Sequence, residues 1–284
     1  MSEEAHRTEQ QIWFITGISS GLGKALADAV IAKGEFIIGT FRNPAQTEAF
    51  NETHHDRAFA LTLDLTKPND IRSAFDIVRS RFGRLDVLVN NAGFGFAGAI
   101  EEASIDEVRG VFEANVFGAL QITQAVLPIF RQQQSGHIVQ ISSHGGFKAM
   151  PGFGVYNASK FALEGFSEAL AAEIAPLGIR LTIVEPGPFR TNFAGDSLRQ
   201  ASARLTAYDA TAGAFRERMQ LVNGKQEGDP YKAAQAIIQV VAAAEPPLRL
   251  PLGKIALGTL TAKLESVQKD IASWKHVAES AVFA

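Results

Sequence analysis

Tyr156 and Lys160 stand four residues apart in a stretch with helical patterning. On a helix, residues i and i+4 share a face, so a phenol and an ammonium can point into one cleft. An unperturbed tyrosine, with a pKa of about 10, is a poor proton donor or acceptor near neutrality. A neighbouring cation favours the phenolate and lowers that value. A phenol tuned in this way suits general acid–base work on a carbonyl–alcohol interconversion. Alone, the pair more ordinarily describes a surface lysine and a half-buried tyrosine on an amphipathic helix, so the rest of the chain has to decide.

A second cluster could hold phosphates. The apolar run Gln11–Ile15 reads as a buried strand and leads into Gly17-Ile18-Ser19-Ser20-Gly21-Leu22-Gly23, then a helical stretch to Lys33. Glycines permit a tight turn and let backbone N–H groups approach a pyrophosphate at the helix N-terminus. The spacing is GxxxGxG rather than GxGxxG, and by itself a plain strand-to-helix turn explains it too. The strand Phe36–Phe41 ends at Arg42-Asn43-Pro44 without the acid that would grip a ribose 2′-hydroxyl. Arg42 can instead pair with a 2′-phosphate, or be an exposed loop arginine. The cofactor expected is NADP, with NAD the alternative. Asp64, at the end of strand Phe59–Leu63, can receive an adenine amino group or merely cap its turn. After the strand Val87–Val89, the amides of Asn90 and Asn91 can tie neighbouring strands together, with Gly93 beside them. Asn115 falls inside a helix expected over Ser104–Gln133, and also reads as an ordinary hydrogen-bonded asparagine. Ser142, Ser143 and His144 follow the strand His137–Ile141, where hydroxyls can touch a substrate oxygen or simply make a turn.

The chain that must position these groups has 284 residues, 46% hydrophobic and 20% charged, with a net charge of -3. That suits one α/β unit and argues against nucleic acid as a partner. There is no cysteine, so thiol catalysis and thiolate metal sites are excluded. The six histidines show no ligand spacing, and no metal is expected; His54-His55 reads as a polar, solvent-facing loop. No apolar run resembles a signal or a membrane span, so a cytoplasmic setting with no membrane partner is expected. Strands and helices alternate six times. That pattern means a doubly wound parallel sheet, a single Rossmann-type domain of about seven strands with helices on both faces. The expected organisation is a polar leader over 1–10, the domain over 11–255, and a helical extension of it over 256–284. Residues 190–225 are polar, weakly helical and without a strand, as a substrate lid would be. A helix is expected over Ile255–Trp274. Its Leu257, Leu260, Leu264, Val267, Ile271 and Trp274 recur at helical spacing and would cover the pocket or a partner subunit.

Together these residues resemble the short-chain dehydrogenase/reductase family, and its hydroxysteroid and retinol dehydrogenase-like members in particular. The resemblance spans about residues 10–255. It rests on Thr16-Gly17-x3-Gly21-x-Gly23, Asp64, Asn90-Asn91-Ala92-Gly93, Asn115, Ser143, Tyr156-x3-Lys160 and Pro186-Gly187 with Thr191. It implies an NAD(P)-dependent oxidoreductase in which Tyr156 gives or takes the proton. Lys160 would lower the Tyr156 pKa and hold the nicotinamide ribose. Ser143, 13 residues before Tyr156 as is usual in the family, would bind the substrate oxygen, and Asn115 would fix a water linking Lys160 to solvent. Gly17, Ser19, Ser20, Gly21 and Leu22 would wrap the phosphates, Asn91 and Gly93 line the cofactor's path, and Pro186, Gly187 and Thr191 fold over its nicotinamide end. The glycine turn lacks the basic residue of some NADP-preferring members, so that preference rests on Arg42. Candidate pocket walls are Phe94, Phe96, His144, Phe147, Met150, Phe153 and Phe189, unless those phenylalanines are core. They favour an apolar ketone, aldehyde or secondary alcohol. The resemblance also implies a homodimer or homotetramer built on the two long helices, about 104–133 and 156–177. The alternatives are a non-catalytic dinucleotide-binding redox sensor, and an epimerase or dehydratase on the same fold.

Overall fold

A computed structural model describes residues 10–54 and 56–283; the leader expected over 1–10 lies outside them apart from Gln10, as does His55. Seven parallel strands form the central sheet in the order β3-β2-β1-β4-β6-β7-β9. They are β1 (Ile12–Ile15), β2 (Phe36–Phe41), β3 (Ala58–Thr62), β4 (Val87–Asn90), β6 (Gly136–Ile141), β7 (Ile179–Pro186) and β9 (Arg249–Leu252). Strands buried on both faces read as continuous apolar runs, which is why they stand out in the sequence. Side chains alternate between the faces: Trp13 and Ile15 join one core layer, Phe14 the other. The first layer lies against helices α1 (Gly21–Ala32) and α8 (Pro230–Val241). The second lies against α3 (Pro68–Ile77), α5 (Ala119–Gln133) and α6 (Gly154–Ile174). Strand order reverses beside β1, between β2 and β4, and ligands of open α/β sheets bind at the carboxyl ends of the strands at such a point.

Four expectations change. Residues Pro44–His54 form helix α2, and the His54 ring stacks on Phe50 with centroids 4.3 Å apart rather than lying in a loop. Only Thr47 of that helix is buried, so it carries no apolar period to read. The long helix starts as α4 (Ile105–Phe112) and passes through a widened π turn, Glu113–Gly118, before α5. The 190–225 segment does contain a strand: β8 (Leu198–Gln200) pairs in parallel with β5 (Gly95–Ala97). Three residues are too few to show alternation. The segment's one long helix is α7 (Ala214–Val222). Finally, the terminal helix α9 runs from Lys254 to Ser280, six residues beyond Trp274. No helix among the described residues is long and apolar enough to cross a membrane.

Candidate active site

A cleft of about 1310 Å³ runs across the carboxyl ends of the strands, larger than the usual small-molecule pocket. Its first half is built by the glycine turn. Gly17 and Gly21 have φ of +70° and +61°, a region closed to most side chains. A Cβ on Gly23 would lie 2.3 Å from both the Gly17 carbonyl oxygen and Asn91 Nδ2, so α1 can sit this close to β4 only with glycine there. Asn91 Nδ2 donates to the carbonyls of Thr16 and Gly17, both at 2.9 Å. Asn90 Nδ2 donates to Thr123 Oγ1 at 2.9 Å and to the Ala119 carbonyl. The paired amides therefore tie β4 to the glycine turn and to α5, not strand to strand. Ser20 precedes α1 in extended conformation with no side-chain cap, which leaves first-turn N–H groups to face an anion.

Ser19, Ser20, Gly21 and Leu22 line this half with Arg42, Asp64, Asn91, Gly93, Pro186, Gly187 and Thr191. Asp64 Oδ1 accepts from the Thr66 N–H and hydroxyl, and these bonds hold its carboxyl below the usual range. It thus caps its own turn while facing the cleft. A preformed N–H nest, an uncapped helix end and a strand-tip guanidinium fit a dinucleotide and its phosphates.

The second half carries the reactive groups. Tyr156, Ser143 and Lys160 all line it and all are buried. Lys160 Nζ donates to the Ile141 carbonyl at 2.8 Å and sits 5.9 Å from the centre of the Tyr156 ring. Burial pushes the Lys160 ammonium down to about 8, with the Glu164 carboxylate acting the other way. Burial also pushes the Tyr156 phenol up, and the nearby Ser143 hydroxyl only partly counters it. The lowering expected from Lys160 is thus outweighed by desolvation, and the phenol is held protonated. Asn115 does not line the cleft. It lies behind the wall in the π turn, where Oδ1 accepts from the Phe94 N–H at 3.0 Å. Its Nδ2 donates to the Phe94 carbonyl and to Ser159 Oγ. A Cβ on Gly93 would meet Asn115 Oδ1 at 2.8 Å and Lys160 Nζ at 3.9 Å, so both flank that glycine.

Phe94, His144, Met150, Phe153 and Phe189 line the cleft as expected. Phe96 does not; it is core, 2% exposed. Phe147 does not either, and lies under the Arg249 guanidinium at 5.1 Å. In their place the 190–225 segment supplies Phe193, Phe215, Met219 and Val222. Phe153 stacks on Tyr156 at 4.3 Å and meets Phe215 in a tilted contact at 4.9 Å, while Phe193 lies 5.5 Å from Tyr156. His144 joins Thr259 of α9 at 3.2 Å, and burial lowers its pKa, so the ring is neutral at pH 7.

Sequence reasoning missed three supports. Asn157, inside the Tyr-x3-Lys motif, accepts from the Met150 N–H and donates to the Gly145 carbonyl, fixing the loop after Ser143. Glu164, four residues after Lys160, accepts from Ser142 and pairs with Arg249; its i+4 spacing was the available signal. The buried pair Glu102–Arg216, at 2.5 Å, anchors α7 and had no signal, being 114 residues apart.

A family model described as short chain dehydrogenase matches residues 11–202. The chain is 40% identical over 268 residues to oxidoreductase BOA17 of Botryotinia fuckeliana, covering 94% of this chain and 97% of that protein. It is 36% identical over 248 residues to human retinol dehydrogenase 8, covering 83% of this chain and 79% of the relative. The crystal structure of a short-chain dehydrogenase from Streptomyces avermitilis superposes with a TM-score of 0.91 at 42% identity, covering 96% of this chain and 100% of that one.

Proposed function

This chain belongs to the short chain dehydrogenase family, and from that premise we propose that it reduces an apolar ketone or aldehyde with NADPH. It is an NAD(P)-dependent oxidoreductase acting between carbonyl and alcohol by hydride transfer. The observation that carries the finer reading is the buried Tyr156 phenol, sharing one cleft with Ser143, Lys160 and the glycine turn. Bound nicotinamide supplies the hydride. Ser143 and Tyr156 polarise the carbonyl oxygen together, as paired donors do in an oxyanion hole. Tyr156 then gives its phenolic proton to the forming alkoxide, a task suited to a phenol that burial keeps protonated. Lys160, cationic below about 8, stabilises the phenolate left behind and reaches the ribose. Asn115 acts through Gly93, Phe94 and Ser159 as a positioning residue.

Arg42 at the tip of β2, with no acid beside it in the strand end, supports NADP over NAD. The aromatic wall of Phe94, Phe153, Phe193 and Phe215 supports an apolar substrate, and a relative named retinol dehydrogenase 8 agrees with that class. The test is NADPH oxidation followed at 340 nm across ketones and aldehydes from small to steroid-sized, with Tyr156→Phe alongside. We expect turnover on apolar members, and a loss of at least about 10³-fold in kcat for Tyr156→Phe with NADPH affinity unchanged. Near-normal turnover by that variant would remove Tyr156 as the proton donor.

A further inference from the structure

Helix α9 leaves the body of the protein almost at once. Its buried residues are Ala256 and Leu260, and from Thr261 to Phe283 every residue but the half-buried Lys263 is exposed. In proteins most of a helix's stability comes from packing an apolar face. This one has such a face. Leu257, Leu260, Leu264, Val267, Ile271, Trp274 and Ala278 recur in alternating steps of three and four. That is the a/d seam of a heptad repeat over three heptads, narrower than the stripe of a helix packed on a globular core. Apart from the buried Leu260 the large residues of the seam are bare: Leu257, Leu264, Val267, Ile271 and Trp274 are between 38% and 66% exposed.

We propose that this seam is a self-association surface, occupied by α9 of a second copy of this chain in a two-stranded coiled coil. A strict a/d seam fits a helix carrying the same repeat, and a second copy brings one in register. The flanking charges favour the parallel orientation. In a parallel pair, Asp270 of one copy faces Lys275 of the other; in an antiparallel pair centred between Leu264 and Val267, it faces Lys263. The parallel pair sets no like charges across the seam, whereas the antiparallel pair sets Lys254 against Lys275. The area is sufficient as well. Five exposed large apolar side chains per copy, each with on the order of 100 Å² to bury, give about 1,000 Å² over two copies, near the lower bound for a stable interface. The proposal is independent of the catalytic reading, since no residue from Leu260 onward lines the cleft.

The test is the solution mass of the full chain at micromolar concentration, by light scattering after size exclusion, for wild type, Leu264→Glu and Ile271→Glu. We expect wild type at twice the 30.5 kDa chain mass or a higher multiple, halved in both variants, with NADPH binding and circular dichroism retained. The absence of cysteine makes cross-linking unambiguous. Leu264→Cys with Val267→Cys should form an intermolecular disulfide in either orientation, and Ala262→Cys on the opposite face should not. A wild type at 30.5 kDa overturns the proposal. So does an oligomer that both glutamates leave intact, which would assign association to another face. Wild type that stays monomeric but sediments with phosphatidylcholine vesicles would give the seam to lipid and overturn it too.

Discussion

At the residue scale, desolvation sets the working charge states. Lys160 lies four residues from Tyr156 as an i, i+4 pair requires, but burial rather than mutual attraction dominates both groups. The ammonium, pushed down to about 8, is cationic below that pH and neutral above it. If the cation supports the phenolate, kcat/KM must fall as pH rises through about 8. Pre-steady-state rates across pH 6–10 check this, and Lys160→Met should show a low rate with no limb there; a wild-type profile flat to pH 10 would contradict it. Arg42 makes a separable prediction. A charge-assisted contact to a 2′-phosphate contributes about 1.5–3 kcal/mol, so Arg42→Gln should weaken NADPH binding roughly 10–100-fold and leave NADH binding alone. Titrating both nucleotides by fluorescence decides it, because equal losses for the two would place Arg42 elsewhere.

At the element scale, the 190–225 segment is tacked down along its length by carboxylates. Glu102 accepts from the Leu205 and Ala99 N–H groups and pairs with Arg216, and its carboxyl is held down at about 2, by Arg216 foremost. Glu107 accepts from the Ser202 N–H, and Tyr208 donates to Glu101. Arg216 follows Phe215, whose ring packs at a tilt on Phe153, which stacks on Tyr156. The ion pair therefore fixes the aromatic wall behind the reacting groups. Removing one partner of a buried pair strands the other charge, at a cost of about 3–5 kcal/mol, whereas replacing both with apolar groups is often neutral. Urea unfolding should find Glu102→Ala destabilised by about that amount and Glu102→Leu with Arg216→Met close to wild type. Equal destabilisation of single and double variants would mean that packing volume, not charge, is what matters there.

At the scale of the whole molecule, Arg249 of β9 gathers three carboxylates, Glu164 and Glu168 from α6 and Glu185 from β7. This cluster closes the last strand onto the sheet behind Ser142 and Phe147. Burial, with Glu164 nearby, raises Glu185 to about 7 from an ordinary 4.5. A carboxyl raised on folding contributes stability that is full below its unfolded pKa and lost as pH rises through the folded one. Stability should therefore decline between about pH 4.5 and 7, and Glu185→Gln should flatten that slope in thermal unfolding measured across pH. An unchanged slope would shift the titration to another member of the cluster.

Much was determined by local sequence. The inner strands announce themselves because both faces are covered, unlike the half-buried edge strand β9, and the glycine turn, Tyr156 and Lys160 are legible because backbone clearance and helical spacing are local constraints, while Ser143 is legible through the family resemblance. What escaped depends on partners distant in the chain. Helix α2 has no apolar period, β8 exists only because β5 lies beside it, and Glu102 meets Arg216 across 114 residues. Phe96 and Phe147 look like pocket residues in sequence, yet tertiary packing turns one into the core and sets the other beneath Arg249. The sign of the Tyr156 shift was likewise beyond the sequence. A neighbouring cation can be read from spacing, but desolvation is set by everything that folds around the ring, and here it is the larger effect.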